Sequence, residues 1–437
     1  MKNFKIYMLP VLFFITGNLM AQQTPAPQQE RAVTIVGATA HIGNGEVIEN
    51  SLIIFEDGKL TTVTDANSTK RQYPGTVIEA RGKHVYPGFI APNSTLGLVE
   101  IDAVVQSDDE DELGELLPHV RSIIAYNAES QVVESMRPNG VLVGQIAPRG
   151  GRISGTSSIV QFDAWNWEDA VLKEDDAIHI NWPNSVRRGR WWEGEDPGVK
   201  PNDDYEKDIR TLSQFFNNAR AYLSGPQNTA NLPFSAMKKV IDGKQSVFIQ
   251  ADGEKEIIDI LQFAKEQKLE NIVLVGGYNA YKVADEIKAA NIPVLVGRVH
   301  SNPNQEDNHY DLPYKMAYLL HSKGILVGLE NSGSMERMNS RNLPFYAGTV
   351  TAYGANKEEA LKMITLNTAK ILGIDDTLGS LEVGKDATLF ISDGDALDMR
   401  TNKVSNAFIQ GREISLESHQ TQLAKRYIDK YGQQEKK

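Results

Sequence analysis

The apolar pattern changes period twice along this chain, and that change limits the architectures open to it. From Ala32 to Ala80 short alternating runs are broken by turn residues: Val33 to Val36, Ser51 to Phe55, Leu60 to Val63 and Val77 to Glu79, separated by Gly43-Asn44-Gly45 and Asp57-Gly58. Such runs predict a small antiparallel sheet, with Glu56-Asp57-Gly58-Lys59 as a hairpin turn. A similar texture returns in Leu381 to Val383, Ala387 to Ile391 and Ala407 to Ile414, with turns at Gly384 and Gly411-Arg412. The two ends are therefore expected to build one β-domain together. Between them, apolar strand-like runs precede helical stretches: Val141 to Ile146, Val247 to Ile249 then Lys255 to Lys268, Ile272 to Val275 then Ala280 to Ala290, and Pro293 to Val296. Ile325 to Leu329 follows, and then a strong helical pattern from Lys357 to Leu372. Strands alternating with helices predict parallel β/α units. A barrel inserted into a β-sandwich is the simplest architecture. A doubly wound open sheet is the alternative, although no Gly-x-Gly-x-x-Gly follows the first strand.

Composition closes several chemistries. The 437 residues are 41% hydrophobic and 23% charged, as in an ordinary globular protein. The formal charge of −12 repels phosphate backbones and anionic lipid, so a nucleic-acid partner is not expected. With no cysteine there is no disulfide, thiolate metal site, thiol nucleophile or lipidated cysteine. At the start, Lys2 and Lys5 precede an apolar run from Ile6 to Ile15 and then small residues ending at Ala21, the order of a secretory signal. The run falls short of the ~20 apolar residues that span a bilayer. A cleaved signal at 1–21, a flexible leader at 22–31 and a periplasmic or secreted location are expected, with no membrane span after signal removal.

Three segments carry a specific likeness. His84-Val85-Tyr86-Pro87-Gly88-Phe89-Ile90 resembles the strand that opens the barrel in the amidohydrolase superfamily, and Arg341-Asn342-Leu343-Pro344-Phe345 the segment after its last barrel strand. Glu359-Ala360-Leu361 through Thr365 to Gly373, and on to Gly379-Ser380-Leu381-Glu382-Val383-Gly384-Lys385-Asp386-Ala387, resembles the closing helix and re-entry into the β-domain of imidazolonepropionase-like and dipeptidase-like members. The likeness implies a distorted (β/α)8 TIM barrel at 85–375. It implies a β-sandwich from 32–84 and 376–415, with a C-terminal helix or tail at 416–437.

The resemblance also implies a divalent metal, usually zinc. It is held by His-x-His after the first strand, histidines ending the fifth and sixth strands, and an aspartate ending the eighth. Imidazole and carboxylate leave an open position where bound water becomes a nucleophile. This chain departs at every one of those positions. Asn93 and Thr95 stand where the two histidines belong, Gln250 at the fifth strand, and Gly276 at the sixth. At the eighth, Glu330, Asn331 and Ser332 are candidates for the aspartate position. No standard metal site and no cofactor are expected.

Other residues offer weaker alternatives. His300, Asp307, His309 and Asp311 could form a relocated metal site, although a polar loop of this composition is usually a solvated connection. His179 alternates with apolar neighbours in Ala177-Ile178-His179-Ile180, which suits a satisfied strand histidine. The acidic run Asp108 to Glu112 reads as a solvated loop. The segment Trp182 to Trp192 brings Arg187, Arg188 and Arg190 together with Trp191 and Trp192. Of these, Arg187, Arg190, Trp191 and Trp192 are candidate ligand contacts.

Two functions stay open. One is an exported hydrolase of carbon–nitrogen bonds in amides, cyclic amides or dipeptides, which the resemblance implies. The other is an inactive relative that binds a small molecule or peptide, or serves as a subunit of a paralogous amidohydrolase or homo-oligomer.

Overall fold

A computed structural model describes residues 24–68, 73–189, 191–226, 229–432. The expected signal at 1–21 therefore lies outside the described residues. Among those described, no helix is long and apolar enough to cross a membrane.

Both chain ends do build one β-sandwich. One of its sheets comes wholly from the N-terminal part, with strands in the order Lys59–Asp65, Ser51–Glu56, Val33–Val36, Thr76–Glu79. The other interleaves the ends: Leu389–Ser392 pairs with His84–Pro87 on one side and with Val404–Ile409 on the other. Asp57 and Gly58 take φ of 49° and 77°, which the tight hairpin turn requires. The Gly384-Ala387 turn clips onto that hairpin through Ala387 N–H to Gly58 O and Leu60 N–H to Lys385 O, each 2.8–2.9 Å. The leader is docked where described: Ala26 packs on the main core, and the Gln29 side chain bonds Phe55 O and Gly58 N–H.

Eight strands form the barrel: β1 (Phe89–Ser94), β2 (Val141–Ile146), β3 (Ile153–Gln161), β4 (Val171–Asn181), β5 (Ser246–Ala251), β6 (Ile272–Gly276), β7 (Val294–Val296) and β8 (Val327–Leu329). They neighbour one another in chain order. The regular β/α alternation holds only from β4 onward. The β3 strand runs antiparallel to both β2 and β4. Its flanking connections, 147–152 and 162–170, are too short for a crossover helix, so the chain can only turn back.

The helical pattern expected to run unbroken from Lys357 to Leu372 splits into α1 (Lys357–Lys362) and α2 (Leu366–Leu372). The break has a cause. The carbonyls of Met363 and Ile364 accept from Leu329 N–H (3.1 Å) and Ile90 N–H (3.0 Å), and so bridge β8 to β1. A continuous helix would keep those carbonyls for itself.

Candidate functional site at the barrel mouth

The parallel strands point their C-terminal ends to one face, where barrels of this kind carry their chemistry. Asn93, next to last in β1, is in a left-handed conformation, φ 48°, at a register shift in the β1–β2 ladder. Asparagine tolerates that region better than most residues. Its N–H donates to Gln145 Oε1 at 2.9 Å. Gln145 Nε2 in turn donates to Asp176 Oδ2 at 2.7 Å, and Ser157 Oγ donates to Asp176 Oδ1 at 2.7 Å. Burial pushes the Asp176 carboxyl up to about 6.

Two arginines close over the β1 end. Arg149 donates to Asn93 Oδ1 (3.1 Å), to the Asn93 carbonyl (2.8 Å) and to Glu336 Oε2 (3.0 Å). Thr95 N–H donates to Glu336 Oε1 at 2.6 Å, and Thr95 Oγ1 accepts from Arg337 at 3.1 Å. Arg337 also pairs with Asp102 and with Glu110, so the acidic run folds down onto the mouth at Glu110.

Glu330 follows β8 and is buried; its Oε2 accepts from Ser332 N–H at 2.6 Å and faces Asn93 Nδ2 at 3.4 Å. Burial pushes its carboxyl up to about 7. His179, on β4, is held down to about 3 by burial, with Arg149 adding to the effect, so its imidazole is neutral. Its Nε2 has no hydrogen-bond partner.

Two cavities open among these groups. One, of about 260 Å³, includes Gln250, Asp252, Gly276, Arg298, Glu330 and Ser332 in its lining. The other, of about 270 Å³, includes Asn93, Arg149, His179, Gln250 and Ser332. The family-matching positions Asn93, Gln250, Gly276 and Ser332 thus meet at the mouth, while Thr95 is buried under Arg337.

The residues present do not fit a metal of the kind the fold implies. The side-chain oxygens of Asn93 and Thr95 already accept from guanidinium groups, and a dication there would sit against two fixed cations. Gly276 brings no ligand, and its φ of +84° strains any side chain; a Cβ would lie 2.4 Å from Gln250 Nε2. Among the described residues, no three His, Asp or Glu side chains group closely enough to hold a metal ion. The alternative site does not assemble either: His300 Nε2 bonds Thr349 Oγ1 at 2.7 Å, His309 pairs with Asp311 at 2.5 Å, and Asp307 is exposed.

The Trp182 to Trp192 segment separates into two roles. Trp182 is buried and donates to Tyr205 OH at 3.2 Å. Arg187 lies on a hairpin (Val186–Arg188 with Val199–Pro201), its fork taken by Glu195 at 2.8 and 3.1 Å. Trp191 and Trp192 are exposed and meet edge to face, and Arg190 lies outside the described residues. None of Arg187, Trp191 and Trp192 lines either mouth cavity.

Sequence reasoning missed Arg149, Asp252, Arg298 and Glu336. The available signal was position: Asp252 follows β5 directly and Arg298 comes two residues after β7, where a barrel presents side chains to its mouth.

Residues 319–414 match the sequence model of the amidohydrolase family. No curated protein sequence matches the chain. Among solved structures, an amidohydrolase from Thermotoga maritima MSB8 superimposes with a TM-score of 0.76 at 22% identity, over 88% of this chain and 99% of that one. A prolidase complexed with N-methylphosphonate-L-proline gives 0.53 at 13% identity, over 88% and 99%. Molinate hydrolase gives 0.52 at 14%, over 89% and 96%. At these identities the structural likeness is one of fold, and the match to the amidohydrolase family model covers the closing segment of the chain, residues 319–414.

Proposed function

We propose that this protein binds a small ligand in the barrel mouth and does not run the metal-hydroxide hydrolysis of its superfamily. The observation that carries this reading is Arg149, whose guanidinium bonds both oxygens of Asn93 and also Glu336. A fixed cation there neutralises Glu336 from within the chain, the charge role a metal would otherwise have. The open cavities beside it keep the space for a ligand. Elemental analysis of the purified mature protein is the test. We expect less than about 0.1 equivalent of zinc, manganese or iron per chain, and no change in melting temperature on adding chelator, since loss of a bound metal lowers stability. Stoichiometric metal overturns the proposal.

A second reading is favoured by Glu330, a buried carboxyl pushed up to about 7 beside a cavity. Carboxyls so tuned serve as acid–base groups. Chelator-insensitive amide hydrolysis, lost in Glu330→Gln, would support it against pure binding. For location, the Lys2 to Ala21 pattern supports export to the periplasm. Cell fractionation and N-terminal sequencing test it, with an uncleaved cytoplasmic chain as the refuting result.

A further inference from the structure

Most buried and half-buried arginines among the described residues face a carboxylate: Arg121, Arg137, Arg149, Arg152, Arg337 and Arg412 each make an ion pair. Arg298, lining the 260 Å³ cavity, makes none among the described residues. Its Nε donates to Asn331 Oδ1 at 3.0 Å and its Nη2 to the Ser334 carbonyl, both neutral acceptors. Asn331 is itself fixed: Tyr346 OH donates to its Oδ1 at 2.8 Å, and its Nδ2 donates to Glu336 O at 3.0 Å. The guanidinium is thus oriented by groups that leave its charge uncompensated, in a chain whose net charge is −12. A guanidinium held in this way is arranged for an incoming carboxylate.

The same cavity holds the opposite pole. Asp252, after β5, accepts only the Tyr278 N–H at 3.1 Å and makes no ion pair among the described residues. Gly276 brings this carboxylate onto the cavity floor, since a Cβ there would stand 2.7 Å from Asp252 Oδ1. Glu330 Oε1 lies 3.3 Å from where a Cβ on Gly297 would stand, so a second carboxyl borders the floor. Val296, Pro313 and Met316 give the wall an apolar part.

We propose that the cavity between Arg298 and Asp252 binds a zwitterion of single amino-acid size with an apolar side chain, its carboxylate on Arg298 and its ammonium on Asp252. The 260 Å³ cavity has room for a molecule of that size. This rests on the reading of the mouth as a ligand site and adds the ligand's chemistry. The probes are L-leucine, L-leucinamide, N-acetyl-L-leucine and glycyl-L-leucine, measured by calorimetry on the full mature chain. Leucine is expected to bind. The amide, which lacks the carboxylate, and the N-acetyl derivative, which lacks the ammonium, are expected to bind at least tenfold more weakly, a difference of about 1.4 kcal/mol. Arg298→Gln should erase the preference for leucine over leucinamide, and Asp252→Asn the preference over N-acetyl-leucine. Equal binding of leucine and leucinamide overturns the proposal, as does no leucine binding at 10 mM, while tighter binding of glycyl-leucine overturns the single-residue size. Stoichiometric metal would refute the metal-free reading separately, because these comparisons are made on the protein as purified.

Discussion

The two faces of the barrel each carry arginines and carboxylates, yet they are built differently. At the face opposite the mouth, Asp163 lies between Arg137 (3.1 Å) and Arg412 (3.0 Å), with these side chains only 3–6% exposed. The cluster is densely bonded: Arg412 also donates to Gln161 Oε1 and the Asp163 carbonyl, and Asp163 accepts from Ala26 N–H. It ties the leader, the barrel and the sandwich together. At the mouth, Arg149 and Arg337 are likewise paired, but Arg298 and Asp252 are left without ion pairs among the described residues. A charge cluster whose arginines are ion-paired in the core holds a fold, and groups left without ion pairs beside a cavity have interactions available to a ligand.

The hardest test of that contrast is Asp163→Ala. It leaves two buried guanidinium groups without their carboxylate, a kind of change that costs about 3–5 kcal/mol. Denaturant unfolding should show a loss of that order. A loss below about 1 kcal/mol would mean that the cluster is not the fastening it resembles.

Acid should expose the next largest effect. His179 is held down to about 3 in the fold, against about 6.5 when unfolded. The unfolded chain therefore binds the extra proton first. This group's contribution is complete above about pH 6.5 and is lost as pH falls toward 3, amounting to about 2 kcal/mol at pH 5. Asp176 acts in the opposite sense: its raised value of about 6 favours the fold when protonated, and that contribution is lost as pH rises through 6. Comparing His179→Gln with the parent from pH 7.5 to 4.5 isolates the histidine, since Asp176 is common to both. The variant's melting temperature should fall less on acidification. Parallel curves would show that the imidazole does not titrate between the two states.

Arg149→Gln should cost less than Asp163→Ala. Its side chain is 24% exposed, so water can reach the acceptors it abandons. A loss of about 1–2 kcal/mol is expected from its lost charged hydrogen bonds. A loss as large as that of Asp163→Ala would erase the distinction between the two faces.

What the sequence made legible follows from which signals are local. β2 and β5 to β8 stand out as apolar runs, β1 through the likeness carried by His84 to Ile90, and both sandwich parts as alternating runs. The β3 strand does not: Ile153-Ser154-Gly155-Thr156-Ser157-Ser158 is polar and small, and its burial is tolerated because neighbours satisfy its hydroxyls, as Pro118 O does for Thr156 and Asp176 for Ser157. The α1–α2 break was equally hidden, since Met363 and Ile364 suit a helix and are diverted only by the open seam between β8 and β1. At the site, the departures at Asn93, Thr95, Gln250 and Gly276 were readable from position on the scaffold. Their arginine partners were not, because Arg149 and Arg337 arrive from the segments after β2 and β8 and reach the end of β1 only once the barrel closes.

The smallest effect concerns the aromatic hairpin, and it sharpens the contrast from outside. Trp191 and Trp192 are 71% and 67% exposed, and neither lines a mouth cavity. Exposed apolar side chains are ordinary on protein surfaces, because there is too little polar surface to cover a globule. If unspent polar groups beside a cavity are what mark the ligand site, these residues should matter neither to stability nor to small-ligand binding. Trp191→Ala with Trp192→Ala is expected to change unfolding free energy by no more than about 0.5 kcal/mol, and to leave leucine affinity within twofold of the parent. Calorimetry beside denaturant unfolding reads both quantities on one preparation. A tenfold loss of leucine affinity at unchanged stability would move the binding surface out to the hairpin. The pairing state of Arg298 and Asp252 would then no longer be what distinguishes the two faces.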